Sequence, residues 1–355
     1  MMKTLPRWYT KMATEEVIAY HKAAMELKEV LIKSLVRTEG RKISVAECAF
    51  GKMMLAIGLY SESDKNLDIS KVLLMILLYY FKNFTNAYNW FFNSANNMEI
   101  TKERAYYDSL LKRRKNVFEY YKTLMLECAQ LRTKEALFAN EVLRCNNVNM
   151  YSTEVAEYCR ANDKLKTLTR TGWKHWNVPK ERIESDADHV VGTMILALAM
   201  FMVFDYNIDF SKVVLMLAIH ETEEIGIGDI TPFQGISREE KKRMGHVAVK
   251  NIFDKLKKGK RFANLIYEFD NQKTLEAKFA YQCDKLECDL TAMAYEDTVG
   301  LCHFTSAEEI MQVNPKLIEN HELGAEVMSD FFYLYDKPIF DWNFGKVLDA
   351  RFKKK

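Results

Sequence analysis

The amino-acid sequence predicts an all-α protein made of two tandem helical bundles. Three observations lead to this prediction: few turn-forming residues, ample apolar and charged content, and an internal repeat. Glycine (13) and proline (5) form about 5% of the 355 residues, whereas average usage would give about 12%. This scarcity argues against turn-rich β-sandwiches, barrels and propellers, and against a disordered chain. Apolar residues (48%) and charged residues (28%) allow large cores beneath a solvated surface.

The charges nearly cancel, with 51 Lys and Arg against 49 Asp and Glu. No strong global field therefore favours nucleic acid or a membrane surface as a partner, and we expect neither. The seven cysteines are odd in number and form no CxxC motif, which indicates free thiols in a reducing compartment. Because the first ten residues also lack an apolar signal core, we expect a cytoplasmic protein.

A shift of 141 residues aligns three separated segments of the chain. Residues 51–56 fall on 192–197, residues 70–75 on 211–216, and residues 133–139 on 274–280. The matches include polar residues, so similar apolar helical periods explain them poorly. The sequence therefore predicts two related helical units, at 1–160 and 161–320, with an aromatic-rich tail at 321–355.

Apolar periodicity predicts the main helices of the C-terminal unit. Residues 190–204 carry an apolar face at helical spacing and are too few to span a membrane, so they predict a buried helix. Residues 213–219 are apolar on nearly every side, which predicts a central helix. Ser237 with Glu240 three residues later predicts a capping box. Residues 276–293 predict another long helix.

Four polar residues stand where these helices should be buried. His189 begins the first apolar helix, His220 and Glu221 end the next, and Asp284 interrupts the last. Buried imidazoles and carboxylates are costly unless they are paired or bind a metal. Two histidines and two carboxylates suit one divalent ion with open coordination positions, with Mn, Co, Mg, Fe and Zn all possible.

Two further carboxylates follow the second histidine. If the helix continues, Glu224 lies one turn after His220 on the same face, where it could orient a water or act as a general acid or base. Asp229 follows Gly228 and could hold a substrate group. Glu224 and Asp229 are therefore candidates for catalytic or supporting roles beside the four polar residues.

The N-terminal unit serves as an internal comparison for the four candidate ligands. The positions equivalent to His189, His220, Glu221 and Asp284 hold Cys48, Tyr79, Tyr80 and Leu143. All four positions change together while the surrounding residues persist. This pattern favours a metal site in the C-terminal unit over four independently satisfied core residues.

At these residues the chain resembles the HD-domain metal-dependent phosphohydrolases, and within them the 5′-deoxynucleotidase branch. The resemblance covers about residues 165–300. The motifs that carry it lie at residues 171–173, 182–189, 220–224, 228–232 and 284–287.

The resemblance implies a helical HD fold with one divalent metal ion on the four candidate ligands. It implies that Glu224 assists the attacking water and that Asp229 holds the water or the substrate. Arg182 would contact a phosphate with its forked donors. Trp173 would pack near the nucleoside, or else is an ordinary core residue. Members of this branch are commonly homodimers, and the tandem could form a dimer-like pair within one chain.

The resemblance implies a phosphohydrolase acting on nucleotides, most of all (deoxy)nucleoside 5′-monophosphates. One departure is Glu221, where the family has aspartate, because its extra methylene moves the carboxylate. This departure favours an alternative, a regulatory protein that binds metal or nucleotide with weakened catalysis. A nucleoside triphosphohydrolase is a further alternative.

Overall fold

The structure is a computed structural model that describes residues 7–36, 42–85, 108–305 and 327–353. Helices dominate this part of the chain, which confirms the predicted all-α class, and its one sheet is a small antiparallel hairpin. The N-terminal unit contains α1 (Arg7–Glu29), β1 (Leu31–Val36), β2 (Lys42–Ser44), α2 (Val45–Glu62), α3 (Ile69–Phe84), α4 (Asp108–Gln130) and α5 (Lys134–Arg144).

The remaining elements run from the end of the N-terminal unit through the C-terminal unit and the tail. Their α-helices are α6 (Thr153–Asn162), α7 (Thr171–His175), α8 (Asp186–Val203), α9 (Phe210–Ile219), α10 (Glu224–Ile227), α11 (Arg238–Phe253), α12 (Gly259–Asn271), α13 (Leu275–Val299), α14 (Met328–Asp336) and α15 (Trp342–Phe352). Short 3₁₀ turns lie between them, at Val148–Met150, Asp163–Lys166, His220–Glu223, Pro232–Gln234 and Lys337–Ile339.

Helix caps recur at the offset found in the sequence. In each helix start, the side-chain oxygen of the cap accepts a hydrogen bond from a backbone amide of the first turn, which satisfies an otherwise unpaired donor. The matching pairs, each 141 residues apart, are Ser44 and Ser185, Asp68 and Asp209, and Thr133 and Thr274.

Polar contacts between helices recur at the same offset. Lys71 pairs with Glu127 at 2.7 Å in the N-terminal unit, and Lys212 pairs with Glu268 at 2.6 Å in the C-terminal unit. The caps and these ion pairs favour the interpretation of two related units, which stays a prediction.

The larger of the two hydrophobic clusters found among the described residues runs through both units. Helix α1 packs antiparallel along α8, and the Tyr9 hydroxyl donates to the carbonyl of Val203 at 2.5 Å. Helix α6 packs on α2 in the same way. A boundary between residues 160 and 161 therefore falls inside α6, a helix that is packed against the N-terminal unit.

The tail covers the core from one side. Helix α14 packs on α13, and α15 packs on α1 and α13. Within the described residues, α8 is the one helix long and apolar enough to span a membrane, and 94% of it is buried inside the protein. Helix α8 is therefore the buried core helix that the sequence predicted.

Two local predictions change. Helix α9 ends at Ile219 and a 3₁₀ turn follows, so Glu224 begins a separate short helix rather than extending α9. Ser237 caps α11 by accepting from the Glu240 amide at 3.1 Å. The Glu240 side chain pairs with Arg243 instead, so this cap lacks the reciprocal half of the predicted box.

Candidate metal centre

The structure brings the four candidate ligands together. The first turn of α8 supplies His189, the 3₁₀ turn after α9 supplies His220 and Glu221, and the middle of α13 supplies Asp284. One ligand atom from each lies within 4.8 Å of the others, and all four residues are buried. His189 Nε2 lies 3.0 Å from Asp284 Oδ1 and 3.4 Å from Glu221 Oε1.

Both imidazoles turn the same nitrogen toward the cluster. Nδ1 of His189 lies 2.6 Å from Glu287 Oε2, and Nδ1 of His220 lies 2.8 Å from the carbonyl of Leu217. Because a carboxylate and a carbonyl accept, each Nδ1 is the donor, and each Nε2 is left for the cluster.

The donor set fits a divalent ion. Nε2 of His220 is buried and has no hydrogen-bond partner among the described residues. A buried polar atom without a partner requires an explanation, and a ligand at this point supplies one. Two imidazoles and two carboxylates are a set that transition-metal ions and zinc accept.

Nearby cations hold the carboxylates ionised. Burial would raise the pKa of Glu221, but the neighbouring His220 and Arg170 outweigh burial and lower it to about 2. Nη1 of Arg170 donates to Glu221 Oε1 at 2.8 Å. An ionised carboxylate is the form that a metal requires.

The proton on His189 competes with a metal. Burial and the charge of Arg170 would lower the pKa of His189, but Cys288, Glu287 and the hydrogen bond that the imidazole donates to Asp284 raise it well above its usual range. Binding of a metal ion at Nε2 would therefore displace this proton.

Glu224 lies beside the cluster with a raised pKa. Its side chain is 3% exposed, and burial, followed by the charges of Glu221 and Asp229, raises its pKa well above the usual range. Oε1 accepts from Lys241 Nζ at 3.1 Å, and Oε2 has no partner among the described residues. A carboxyl group with a raised pKa suits proton transfer near neutral pH.

Asp229 anchors the segment that carries Arg170. Its Oδ2 accepts from the backbone amide of Thr171. The preceding Gly228 has φ +76°, a left-handed conformation that favours glycine. The turn thus ties the start of α7 to the end of α10.

The structure holds Arg182 and Trp173 in internal contacts. Arg182 donates to Asp188 at 2.6 Å and to the carbonyl of Lys28 at 3.0 Å. Trp173 is buried, and its Nε1 donates to Glu184 at 2.8 Å. These contacts fit the core alternative for Trp173, and a phosphate contact by Arg182 stays a prediction.

Several site residues were not predicted from the sequence. They are Lys28, Arg170, Asp186, Lys241 and Glu287, all within the network around the four ligands. The spacing of Glu287, one helical turn after Asp284, is a signal that could have identified it.

Comparisons with known proteins identify a family for this chain. A family profile described as "HD domain" matches residues 162–323. The human 5′-deoxynucleotidase HDDC2 is 34% identical over 143 residues, which cover 40% of this chain and 68% of the relative. The 5′-deoxynucleotidase hdd1 of Schizosaccharomyces pombe is 30% identical over 193 residues, covering 50% and 95%.

Among solved structures, the chain resembles a predicted metal-dependent phosphohydrolase from Magnetospirillum magnetotacticum. The alignment has 20% identity and a TM-score of 0.34, and it covers 57% of this chain and 93% of the other.

Proposed function

Because this chain belongs to the HD-domain family of metal-dependent phosphohydrolases, we propose that it releases phosphate from nucleotides, most of all from deoxynucleoside 5′-monophosphates. The observation that carries the proposal is the buried cluster of two histidines and two carboxylates, with both Nε2 atoms facing it. The names of the relatives, 5′-deoxynucleotidases, support this choice of substrate.

His189, His220, Glu221 and Asp284 would hold one divalent ion. When bound, the ion supplies Lewis-acid polarisation of the phosphate and of an attacking water. The four side chains come from three elements, so the helical packing fixes their relative positions.

Glu224 would orient the attacking water and take its proton. Lys241 holds one oxygen of the carboxylate, which leaves the other oxygen for the water. Asp229 would support the same region by fixing the amide of Thr171.

Arg170 is the guanidinium best placed to meet the phosphate. It lies beside Glu221, with Nη1 at 2.8 Å, whereas Arg182 pairs with Asp188 and Glu47. A guanidinium offers paired donors that match phosphate oxygens. We therefore assign the phosphate contact to Arg170, with Arg182 as the alternative that the sequence suggested.

A second candidate function is nucleotide or metal binding without turnover. It is favoured by the ion pair between Glu221 and Arg170, in which the longer carboxylate engages the cation. In this alternative, the site binds metal or nucleotide but does not catalyse hydrolysis, because Glu221 stands in place of the family's aspartate.

We also propose a cytoplasmic location, since none of the seven cysteines, all of them among the described residues, forms a disulfide. We also propose that the two units form a dimer-like pair within the chain. Ser44 donates to Asp188 at 2.5 Å, and the equivalent Ser185 donates to Glu47 at 2.8 Å. Such reciprocal contacts are typical of a two-fold interface.

The test is a hydrolysis screen of the purified chain with Mn²⁺, Co²⁺, Mg²⁺, Fe²⁺ and Zn²⁺ in turn. We expect phosphate release from deoxynucleoside 5′-monophosphates, loss of this activity in His189→Asn, and retention in the matched control Cys48→Ser. Release of triphosphate from nucleoside triphosphates would indicate the triphosphohydrolase alternative. If both the wild type and Glu221→Asp bind Co²⁺ and release no phosphate, the chain is a binding protein.

A further inference from the structure

A buried polar network connects the first helix of the chain to the metal centre. Lys28, near the end of α1, is 2% exposed. Its ammonium group donates to Glu184 Oε2 at 2.6 Å and to Glu287 Oε1. The other oxygen of Glu287 lies 2.6 Å from His189 Nδ1. Lys28 and His189 thus bind opposite oxygens of one carboxylate.

This arrangement fixes the orientation of the imidazole. A carboxylate held at one oxygen cannot rotate without breaking its ion pair, so the second oxygen stays directed at Nδ1. Thr291 strengthens the hold, because its hydroxyl donates to Glu287 Oε1 at 3.1 Å. Hydrogen-bond partners of metal-binding histidines set the ring orientation in this way.

We propose that Lys28 is a positioning residue for the metal centre, acting through Glu287 on His189. The proposal rests on the function proposed above, because it assigns a role in binding the same ion. It also means that the N-terminal unit supplies part of the centre that the C-terminal unit contains.

Close packing supports a specific role for Lys28. A Cβ at Gly192 would fall on Glu287 Oε1 and on the side-chain stem of Lys28. The glycine therefore provides the space in which the ammonium and the carboxylate meet. Interiors at this density allow little movement of the pair.

A lysine also packs over the equivalent glycine of the N-terminal unit. A Cβ at Gly51, 141 residues before Gly192, would fall on the end of the Lys166 side chain. Lys28 from the N-terminal unit thus packs over a glycine of the C-terminal unit, and Lys166 from the C-terminal unit packs over a glycine of the N-terminal unit. Lys166 pairs with Asp163, and the glycine that it covers lies in the unit that has Cys48 in place of His189. Lys166 is therefore a control that also packs over a helix glycine, with a more exposed side chain than Lys28 and away from the metal centre.

The alternative is that Lys28 contributes only to stability. Removing one partner of a buried ion pair generally destabilises a protein, because it leaves an uncompensated charge. Metal affinity separates the two roles, since positioning changes the affinity of the folded protein and a purely structural role does not.

The experiment measures Co²⁺ affinity of the full chain by titration of its visible absorption, without nucleotide. The variants are Lys28→Met, the control Lys166→Met, and the double variant Lys28→Met with Glu184→Gln. The double variant keeps the net charge of the network unchanged and keeps Glu287, so it protects the fold while removing the contact under test. Circular dichroism checks the folding of each variant.

We expect Lys28→Met and the double variant to bind Co²⁺ at least about 10-fold more weakly with an altered absorption band. Lys166→Met should bind as the wild type does. Wild-type affinity in either folded Lys28 variant would overturn the proposal. Failure of both Lys28 variants to fold while Lys166→Met folds would also overturn it, because Lys28 would then serve stability.

The result is separable from the proposed activity. A wild type that binds Co²⁺ but releases no phosphate, together with weaker binding in the Lys28 variants, would refute only the hydrolase proposal. A wild type that binds no Co²⁺ would overturn both.

Discussion

The metal centre and the equivalent region of the N-terminal unit have the same helix caps but differ at every ligand position. Where the centre has His189, His220, Glu221 and Asp284, the other region has Cys48, Tyr79, Tyr80 and Leu143. The helices nevertheless start at equivalent residues in both units. The comparison favours caps and apolar packing, rather than the four ligands, as the features that determine where these helices form.

Lys52 is a further difference between the N-terminal region and the metal centre. In the metal centre, Thr193 Oγ1 lies 3.4 Å from His189 Nε2. The equivalent residue is Lys52, whose ammonium donates to the carbonyls of Val142, at 3.2 Å, and Cys145. These carbonyls flank Leu143, the counterpart of Asp284. The Lys52 side chain thus places a cation in this region and pairs it with backbone oxygens, so the N-terminal region has a polar core contact where the candidate metal centre has its ligands.

The largest effect is expected from a variant that removes a ligand of the metal centre, compared with a variant at the equivalent position of the N-terminal unit. His220→Ala removes a ligand, so phosphate release should fall about 1000-fold, because a bound metal supplies several kcal/mol of stabilisation to the transition state. Tyr79→Ala, at the equivalent position, changes a residue that is 43% exposed and should retain activity. Equal losses in steady-state assays of the two variants would contradict the account.

The next effect compares two guanidinium groups. Arg170→Met should raise KM for the nucleotide about 10- to 100-fold, since hydrogen bonds to charged groups contribute about 1.5–3 kcal/mol. Steady-state kinetics with varied nucleotide would measure it. If Arg182→Met raises KM more than Arg170→Met does, the phosphate contact belongs to Arg182.

A smaller effect compares the two equivalent glycines. Gly192→Ala should destabilise the protein by about 1–3 kcal/mol, because its Cβ meets the buried Lys28 and Glu287. Gly51→Ala should cost less, because its Cβ meets the flexible end of Lys166 and alanine favours helix. Urea denaturation of both variants gives the difference in free energy of unfolding. A larger loss of unfolding free energy in Gly51→Ala than in Gly192→Ala would contradict the tighter packing at Gly192.

The smallest effect tests the symmetry of the caps. Ser44→Ala and Ser185→Ala each remove an N-cap and a hydrogen bond to the other unit. We expect a similar loss of about 1–2 kcal/mol for each in urea denaturation. A loss confined to one serine would break the comparison between the units.

The fold and the ligand cluster could be predicted because their signals are local or periodic. Apolar spacing predicts α8 and α13. The 141-residue offset pairs residues that are N-caps of helices in the structure. The four candidate ligands stood out as polar residues in apolar helices, and the structure brings them within reach of one ion.

The surrounding network could not be predicted, because its contacts join distant parts of the chain. Lys28 and Glu287 are separated by 259 residues, and Arg170 and Glu221 by 51. The position of Arg182 in a motif predicts a phosphate contact, but in the fold its guanidinium pairs with the carboxylates of Asp188 and Glu47. The turn at His220 also escaped prediction, because an apolar run does not show where α-helix changes to a 3₁₀ turn.

The central claim is that one divalent ion binds to the four ligands of the C-terminal unit. Equilibrium dialysis against Co²⁺ tests it most directly, with the wild type beside the double variant His220→Ala, Asp284→Asn. We predict one tightly bound ion per wild-type chain and none in the double variant. Tight binding that persists in the double variant, or a wild type without bound Co²⁺, would contradict the claim.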